Sequence, residues 1–139
     1  MILLDTNVIS ALIRPEPDQA VLTWLDLQPP EPTWTTSISV YELRFGVELL
    51  ANGRRRQLLE EALTKTLEED FDGRVIPFDV AAAHAAGRIG AARRRLGRTI
   101  EVRDLQIAGI AIARNAKLAT RNTRHFEGLG IDLIDPWNA

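Results

Sequence analysis

The chain has 139 residues, 45% of them hydrophobic and 26% charged, which is enough for one domain over residues 1–139 with its own core and leaves little room for extensive disorder. It has no cysteine, which excludes a disulfide framework, a thiolate metal site and a thiol nucleophile and fits a reducing cytoplasm. A net charge of −2 argues against a broad cationic coat for nucleic acid while leaving room for a local groove, and no segment approaches the roughly 20 apolar residues of a membrane helix, so a soluble, unexported chain with no membrane partner is expected.

Ile2, Leu3 and Leu4 form a short apolar run that reads as a buried strand of a parallel sheet, ending on Asp5 at its carboxyl edge. Two readings of Asp5 stay open there: an N-cap for a helix starting near Val8, or a functional acid at the edge where ligands collect in open α/β sheets. "DQAVLTWLDLQ" then carries Val21, Trp24, Leu25 and Leu27 at helical spacing, and "PPEP" stops it. "TWTTS" is short, β-branched and aromatic, a second strand. Ser39 is the expected cap of the next helix, with Val40, Leu43, Val47 and Leu50 as its stripe and Gly53 as its stop.

A further helix is expected from Gln57 to about Phe71, with Leu59, Ala62, Leu63 and Thr66 on one side. "RVIPF" is a strand weakened by Pro77, after which Asp79 caps a long Ala-rich helix whose buried side would be Ala82, Ala85, Ile89, Ala92 and Leu96, ended by Gly97. "VRDLQIAGIAIARNA" is a helix, "KLAT" a strand and "IDLID" the last strand. Strands alternating with helices imply βαβ units and a mostly parallel sheet with helices on both faces. The basic runs Arg54–Arg56 and Arg93–Arg95 with Arg98 read as solvated helix faces.

Two helices share one anomaly. Glu42 heads the spacing Glu42, Phe45, Gly46, Leu49, and Asp104 heads Asp104, Ile107, Ala108, Ala111, each an acid near the start of an otherwise apolar or small face. Taken singly, either acid reads as a surface residue favoured by the helix dipole. In a βαβ unit, however, helix starts lie at the edge where Asp5 ends its strand, so three carboxylates would converge. Packed carboxylates repel unless a hard cation neutralises them, and oxygen donors without cysteine suit Mg²⁺ or Mn²⁺. Metal-dependent chemistry on phosphate esters is the natural reading.

In order, "LLDTNVIS", "ISVYELRFGVELL", "VRDLQIAGIAIA" and "LATRNTRHFEGLGIDLIDPW" resemble the PIN-domain ribonucleases, specifically the VapC toxins of bacterial type II toxin–antitoxin pairs, with FitB-like character. The resemblance covers essentially the whole chain. It implies a PIN-type three-layer α/β fold, a mostly parallel sheet of about five strands flanked by helices, and endonuclease action on RNA. By position, Asp5, Glu42 and Asp104 match the family's metal-site acids, and the fourth acidic position falls on Asn122, which removes one charge from the site. Thr6 and Asn7 match the motif as capping and loop-supporting residues. The implied mechanism is metal-assisted hydrolysis by a cation on Asp5 and Asp104, with Glu42 helping. The implied partners are an RNA substrate, a DNA-binding VapB-like antitoxin that reaches operator DNA on the toxin's behalf and places a basic side chain near the acids, and a second copy of the chain in a homodimer.

Three other readings compete. A metal-free ribonuclease would use His84 and His125 as acid and base, although His84 falls on an outer face with Arg88, Ala91 and Arg95. A phosphoryl-transfer module would also place an acid after the first strand, but Asn7 stands where a second acid of a haloacid-type site would be. A PIN-fold binding module that has lost catalysis would account for Asn122.

Overall fold

Leu3 and Leu4, neighbours in sequence and both shielded from solvent, point to opposite faces of strand β1 (Ile2–Leu4) and enter two different hydrophobic cores. The computed structural model describes residues 1–29 and 31–139; Pro30, within the expected stop "PPEP", lies outside the described residues. Strand β1 pairs in parallel with β4 (Lys117–Ala119), setting Ile2 opposite Lys117 and Leu4 opposite Ala119, and β4 pairs in parallel with β5 (Leu133–Ile134). A separate parallel ladder joins β2 (Thr35–Thr36) to β3 (Val75–Ile76). The two are linked through Trp34, whose carbonyl accepts from Leu4 N at 2.7 Å and whose N–H donates to Ile2 O at 2.9 Å.

The single sheet of about five strands expected from the sequence is therefore a three-stranded sheet plus a two-stranded ladder, stitched together at one bridge. Strands of two or three residues leave little edge to pair. Pro77 also ends β3 at once, since it has no N–H to donate.

On the Leu4 side lie α1 (Thr6–Ile13), α2 (Gln19–Asp26), α3 (Ser37–Glu48) and α4 (Arg54–Lys65), the last continuing into a π-helical turn over Thr66–Asp70. They bring Val8, Ile9, Val21, Trp24, Leu43, Val47 and Leu63 to the core. On the Leu3 side, α5 (Val80–Arg95), α6 (Val102–Ala113) and α7 (Thr123–Phe126) contribute Ala82, Ile107, Ala108, Ile110, Ala111 and Phe126. Helices, sheet and helices make the three layers expected. The Ala-rich surfaces let α5 and α6 approach closely: a Cβ on Gly109 would stand 2.5 Å from Ala82 O.

Several local expectations shift. Helix α1 begins at Thr6 rather than near Val8. Helix α3 is capped by Thr36, whose hydroxyl accepts from Ser39 N at 3.1 Å, so Ser39 lies buried inside the first turn instead of capping it. Helix α4 starts at Arg54, three residues before Gln57. The row buried from α3 is Ser39, Leu43 and Val47, whereas Phe45 is 48% and Leu49 72% exposed. The adjacent row through Leu43 and Val47 is the one the Leu4-side core covers, and half-buried Glu42 sits at its margin. Ala92 of α5 and Leu96, just past its end, are exposed as well. The tight contact with α6 lies at Gly90 and Leu105, and the last turn of α5 runs past the start of α6.

Candidate active site

Asp5 takes the capping role left open by the sequence, and its position at a cavity leaves it free for the other. Its backbone carbonyl and Oδ1 start α1, with Oδ1 accepting from Thr6 N at 2.8 Å, and the rest of its buried carboxylate faces a cavity at the carboxyl edge of β1. Oδ2 accepts from the Thr120 hydroxyl at 2.7 Å and from Asn7 Nδ2 at 3.4 Å. Thr120, fully buried after β4, in turn accepts from Asn122 N at 3.1 Å and from Asn7 Nδ2 at 3.3 Å. Asn7 Oδ1 accepts from Arg121 N at 3.1 Å, so one side chain holds Asp5 and the turn after β4 together.

Thr6 carries the site to α3. Its Oγ1 lies 2.9 Å from both Glu42 Oε1 and Ser39 Oγ. An ionised carboxylate only accepts, so Thr6 spends its one proton on Glu42 and accepts from Ser39. "DTN" is thus a set of struts: Asp5 into the cavity, Thr6 to Glu42, Asn7 to the β4 turn. Glu42 lies in the second turn of α3, later than the helix start expected, and its Oε2 is 3.8 Å from Arg103 Nη1. Asp104 occupies the first turn of α6, where Glu101 caps the helix by accepting from Arg103 N at 3.0 Å and Asp104 N at 3.3 Å. Asp104 Oδ2 meets His125 Nδ1 at 2.9 Å.

Asp5, Glu42, Asp104 and Asn122 line one cavity of about 480 Å³, together with Thr6, Asn7, Ser10 and Ala11 on the α1 side and Arg14, Arg121 and Trp137. The protonation equilibria of the three acids are displaced in one direction. Burial pushes the Asp5 carboxyl above the usual range, opposed by the Thr120 and Thr6 donors and reinforced by repulsion from Asp104. Burial likewise raises Glu42, against the Thr6 hydroxyl and Arg103 and with repulsion from Asp5. Burial raises Asp104 against its contact with His125, and Glu101 and Glu42 repel it further. Each acid feels at least one of the others.

Among the described residues, no three Asp, Glu or His side chains stand close enough to form a ready cation cage. The donors still fit a divalent ion in kind: three carboxylates and the Asn122 carboxamide offer hard oxygen ligands, and the repulsion they share is what a cation would relieve. The Asn122 side chain makes no capping bond to α7 and faces the cavity from its rim.

His84 and His125 line separate surface cavities, so the two-histidine acid–base pair is not assembled. Sequence reasoning missed Thr120, the hydroxyl role of Thr6, and the rim formed by Arg14, Arg121 and Trp137. The rim is built as a unit. Asp18 Oδ2 accepts from Arg14 Nη2 and Trp137 Nε1, both at 3.0 Å, and the Arg121 guanidinium lies 4.7 Å over the Trp137 ring. A polar Thr following a buried strand was the one local signal for Thr120; the rim joins both ends of the chain and has none.

The PIN domain family model matches residues 2–130. The chain is 42% identical to the VapC ribonuclease Y4jK of Sinorhizobium fredii over 99% of this chain and 98% of that one. The crystal structure of FitAcB from Neisseria gonorrhoeae superposes with a TM-score of 0.89 at 38% identity, covering 100% of both chains. That of VapBC2 from Rickettsia felis, bound to a DNA fragment from its promoter, superposes with a TM-score of 0.80 at 27% identity over 96% of this chain and 98% of that one. With its strand-end acid, its acid-bearing helices and a family match along nearly all its length, the chain belongs to the PIN-domain family, in its VapC group.

Proposed function

We propose that the chain is the toxin of a type II toxin–antitoxin pair and acts as an endoribonuclease that depends on Mg²⁺ or Mn²⁺. The observation that carries this reading is the single cavity shared by Asp5, Glu42 and Asp104, three acids from three elements whose carboxyls burial and mutual repulsion all displace upward. Asp5, Asp104 and Glu42 would hold the cation, with Asn122 at the edge of the set.

When bound, the cation supplies charge that stabilises the phosphate in the transition state and makes a water nucleophilic near neutral pH. The protein side chains do the positioning. Thr120 and Asn7 fix the Asp5 carboxylate from the β4 side. Thr6 fixes Oε1 of Glu42, leaving that carboxylate to orient the attacking water. No side chain serves as nucleophile, which accords with the absence of cysteine and with two exposed histidines that lie in separate cavities.

An acidic cavity also explains an inhibitory partner. A basic side chain presented by a VapB-like antitoxin would pair with Asp5, Glu42 and Asp104 and compete with the cation. The antitoxin would carry the complex to operator DNA, since this chain has no net positive charge of its own. A homodimer formed by helices outside the cavity is the expected assembly, and the reading places the whole system in the cytoplasm. Induction of the chain alone in bacteria should halt growth and create new RNA 5′ ends, and co-expression of the small protein encoded beside it should restore growth. Growth arrest with intact RNA would contradict the ribonuclease reading.

A further inference from the structure

The arginine run that looks like a solvated helix face in the sequence divides in space. Arg93 and Arg98 turn toward a second cavity, of about 350 Å³, where they meet Arg124 and His125, while Arg95 lines a different groove with His84 and Arg88. The second cavity shares one residue with the acidic one: Asp104 belongs to both walls. Thr99, Ile100 and Glu101 complete its lining.

Its charges are unequally committed. Glu101 is occupied by Arg103 and by the first N–H groups of α6, and Asp104 by His125. Arg93 donates to the Glu127 carbonyl, which fixes its guanidinium at the cavity wall. Arg98 and Arg124 have no ion pair or side-chain hydrogen bond among the described residues. Two uncommitted guanidiniums around a concave space of nucleotide size suit an anion held by forked hydrogen bonds.

We infer that this cavity, through Arg98 and Arg124, takes the RNA backbone phosphate next to the scissile one, so that the strand crosses Asp104 from the acidic cavity into the basic one. The inference rests on the ribonuclease reading and adds the path of the substrate. Such a subsite also helps an acidic cleft in a protein of net charge −2 to attract RNA, adding two guanidiniums to those of Arg14 and Arg121 on the cleft's own rim.

The test measures binding of a short, mixed-sequence single-stranded oligoribonucleotide in chelator, so that nothing is cleaved, as a function of salt. The proteins are the full-length wild type, the Arg98→Gln/Arg124→Gln double variant, and an Arg88→Gln/Arg94→Gln double variant that removes the same charge outside this cavity. The account expects the first double variant to bind about tenfold more weakly, with a salt slope shallower by about 1 to 1.5, and the second to change far less. Equal losses in both double variants would reduce the effect to overall charge and overturn the subsite. Unchanged RNA binding by the first, or weakened capture of the antitoxin partner alone, would overturn it too, the latter assigning the cavity to an acidic peptide. A wild type that binds neither this oligoribonucleotide in chelator nor a cleavage-resistant analogue of it with Mn²⁺ would bring down the ribonuclease reading itself, an outcome the variants cannot mimic.

Discussion

Thr120 Oγ1 donates to Asp5 Oδ2 at 2.7 Å across 115 positions of sequence, joining the ends of two adjacent parallel strands at the floor of the acidic cavity. The bond holds the charged form of a buried acid, and it opposes the effect of burial on that acid. Thr120→Val keeps the shape and removes the donor, leaving both Asp5 and the Asn122 N–H short of a partner. It should cost about 1–3 kcal/mol in chemical denaturation and push the Asp5 carboxyl higher still, weakening metal affinity. Thr120→Ser should restore both properties. Equal metal affinity in the Val and Ser variants would remove Thr120 from the support of the site.

Asn122 offers a carboxamide oxygen where an acid would add charge. Cleavage should therefore need more Mg²⁺, or favour Mn²⁺, and Asn122→Asp should partly lift that need. Without metal, the added charge joins a repelling set, so this variant should melt lower than wild type in chelator and gain more on adding Mn²⁺. Parallel titrations of cleavage rate and melting temperature check both effects. Identical curves for the two proteins would put Asn122 outside the coordination sphere.

The pH dependence of stability follows from the raised carboxyls. Asp104, displaced upward chiefly by burial, holds its proton more tightly folded than unfolded. Its contribution to stability is then fully present below the ordinary carboxylate range and is lost as pH rises through the folded value. Other acids move oppositely, Asp18 and Glu101 being lowered, so a difference measurement isolates the effect. In chelator, Asp104→Asn should melt above wild type at about pH 7, with the gap closing by about pH 4. A gap independent of pH would mean that ionisation of Asp104 carries no folding penalty.

The close packing of α5 on α6 rests on Gly109, where an added Cβ would stand 2.5 Å from Ala82 O and 2.9 Å from Ala86 Cβ. Backbone cannot yield as a flexible side chain does. Gly109→Ala should cost about 1–3 kcal/mol despite the better helix propensity of alanine, lowering the melting temperature by roughly 4–10 °C. A neutral or stabilising result would show that the two helices slide apart freely.

What the sequence reveals here follows the range of the forces involved. The buried strand, the Ala-rich helix and the first-turn acid of α6 were readable because each depends on local spacing and chain order. The stripe of α3 through Leu43 and Val47 was readable too, but the adjacent row of Phe45 and Leu49 looked apolar as well, and only the tertiary core shows that it stays exposed. Asp5 appeared as a choice between cap and functional acid because one carboxylate has two oxygens: Oδ1 caps α1 while Oδ2 is held by Thr120 at the cavity. The struts Thr6–Glu42, Asn7–Thr120 and Trp137–Asp18 span 36, 113 and 119 positions, beyond the reach of any periodicity. The arginine run illustrates the same limit, since its division between two cavities depends on how α5 ends beside α6 and α7.

The central claim, that Asp5, Glu42 and Asp104 act together to hold a divalent cation that cleaves RNA, is tested most directly by titrating Mn²⁺ into RNA cleavage assays of wild type, Asp5→Asn and Asp104→Asn, with circular dichroism monitoring the fold. Wild type should cleave in proportion to metal occupancy and stop in chelator. Both variants should stay folded and lose about 10³-fold or more in rate, the several kcal/mol of transition-state stabilisation that a misplaced cation forfeits. Cleavage that survives chelator, or persists at the wild-type rate in a folded Asp104→Asn protein, would contradict the account.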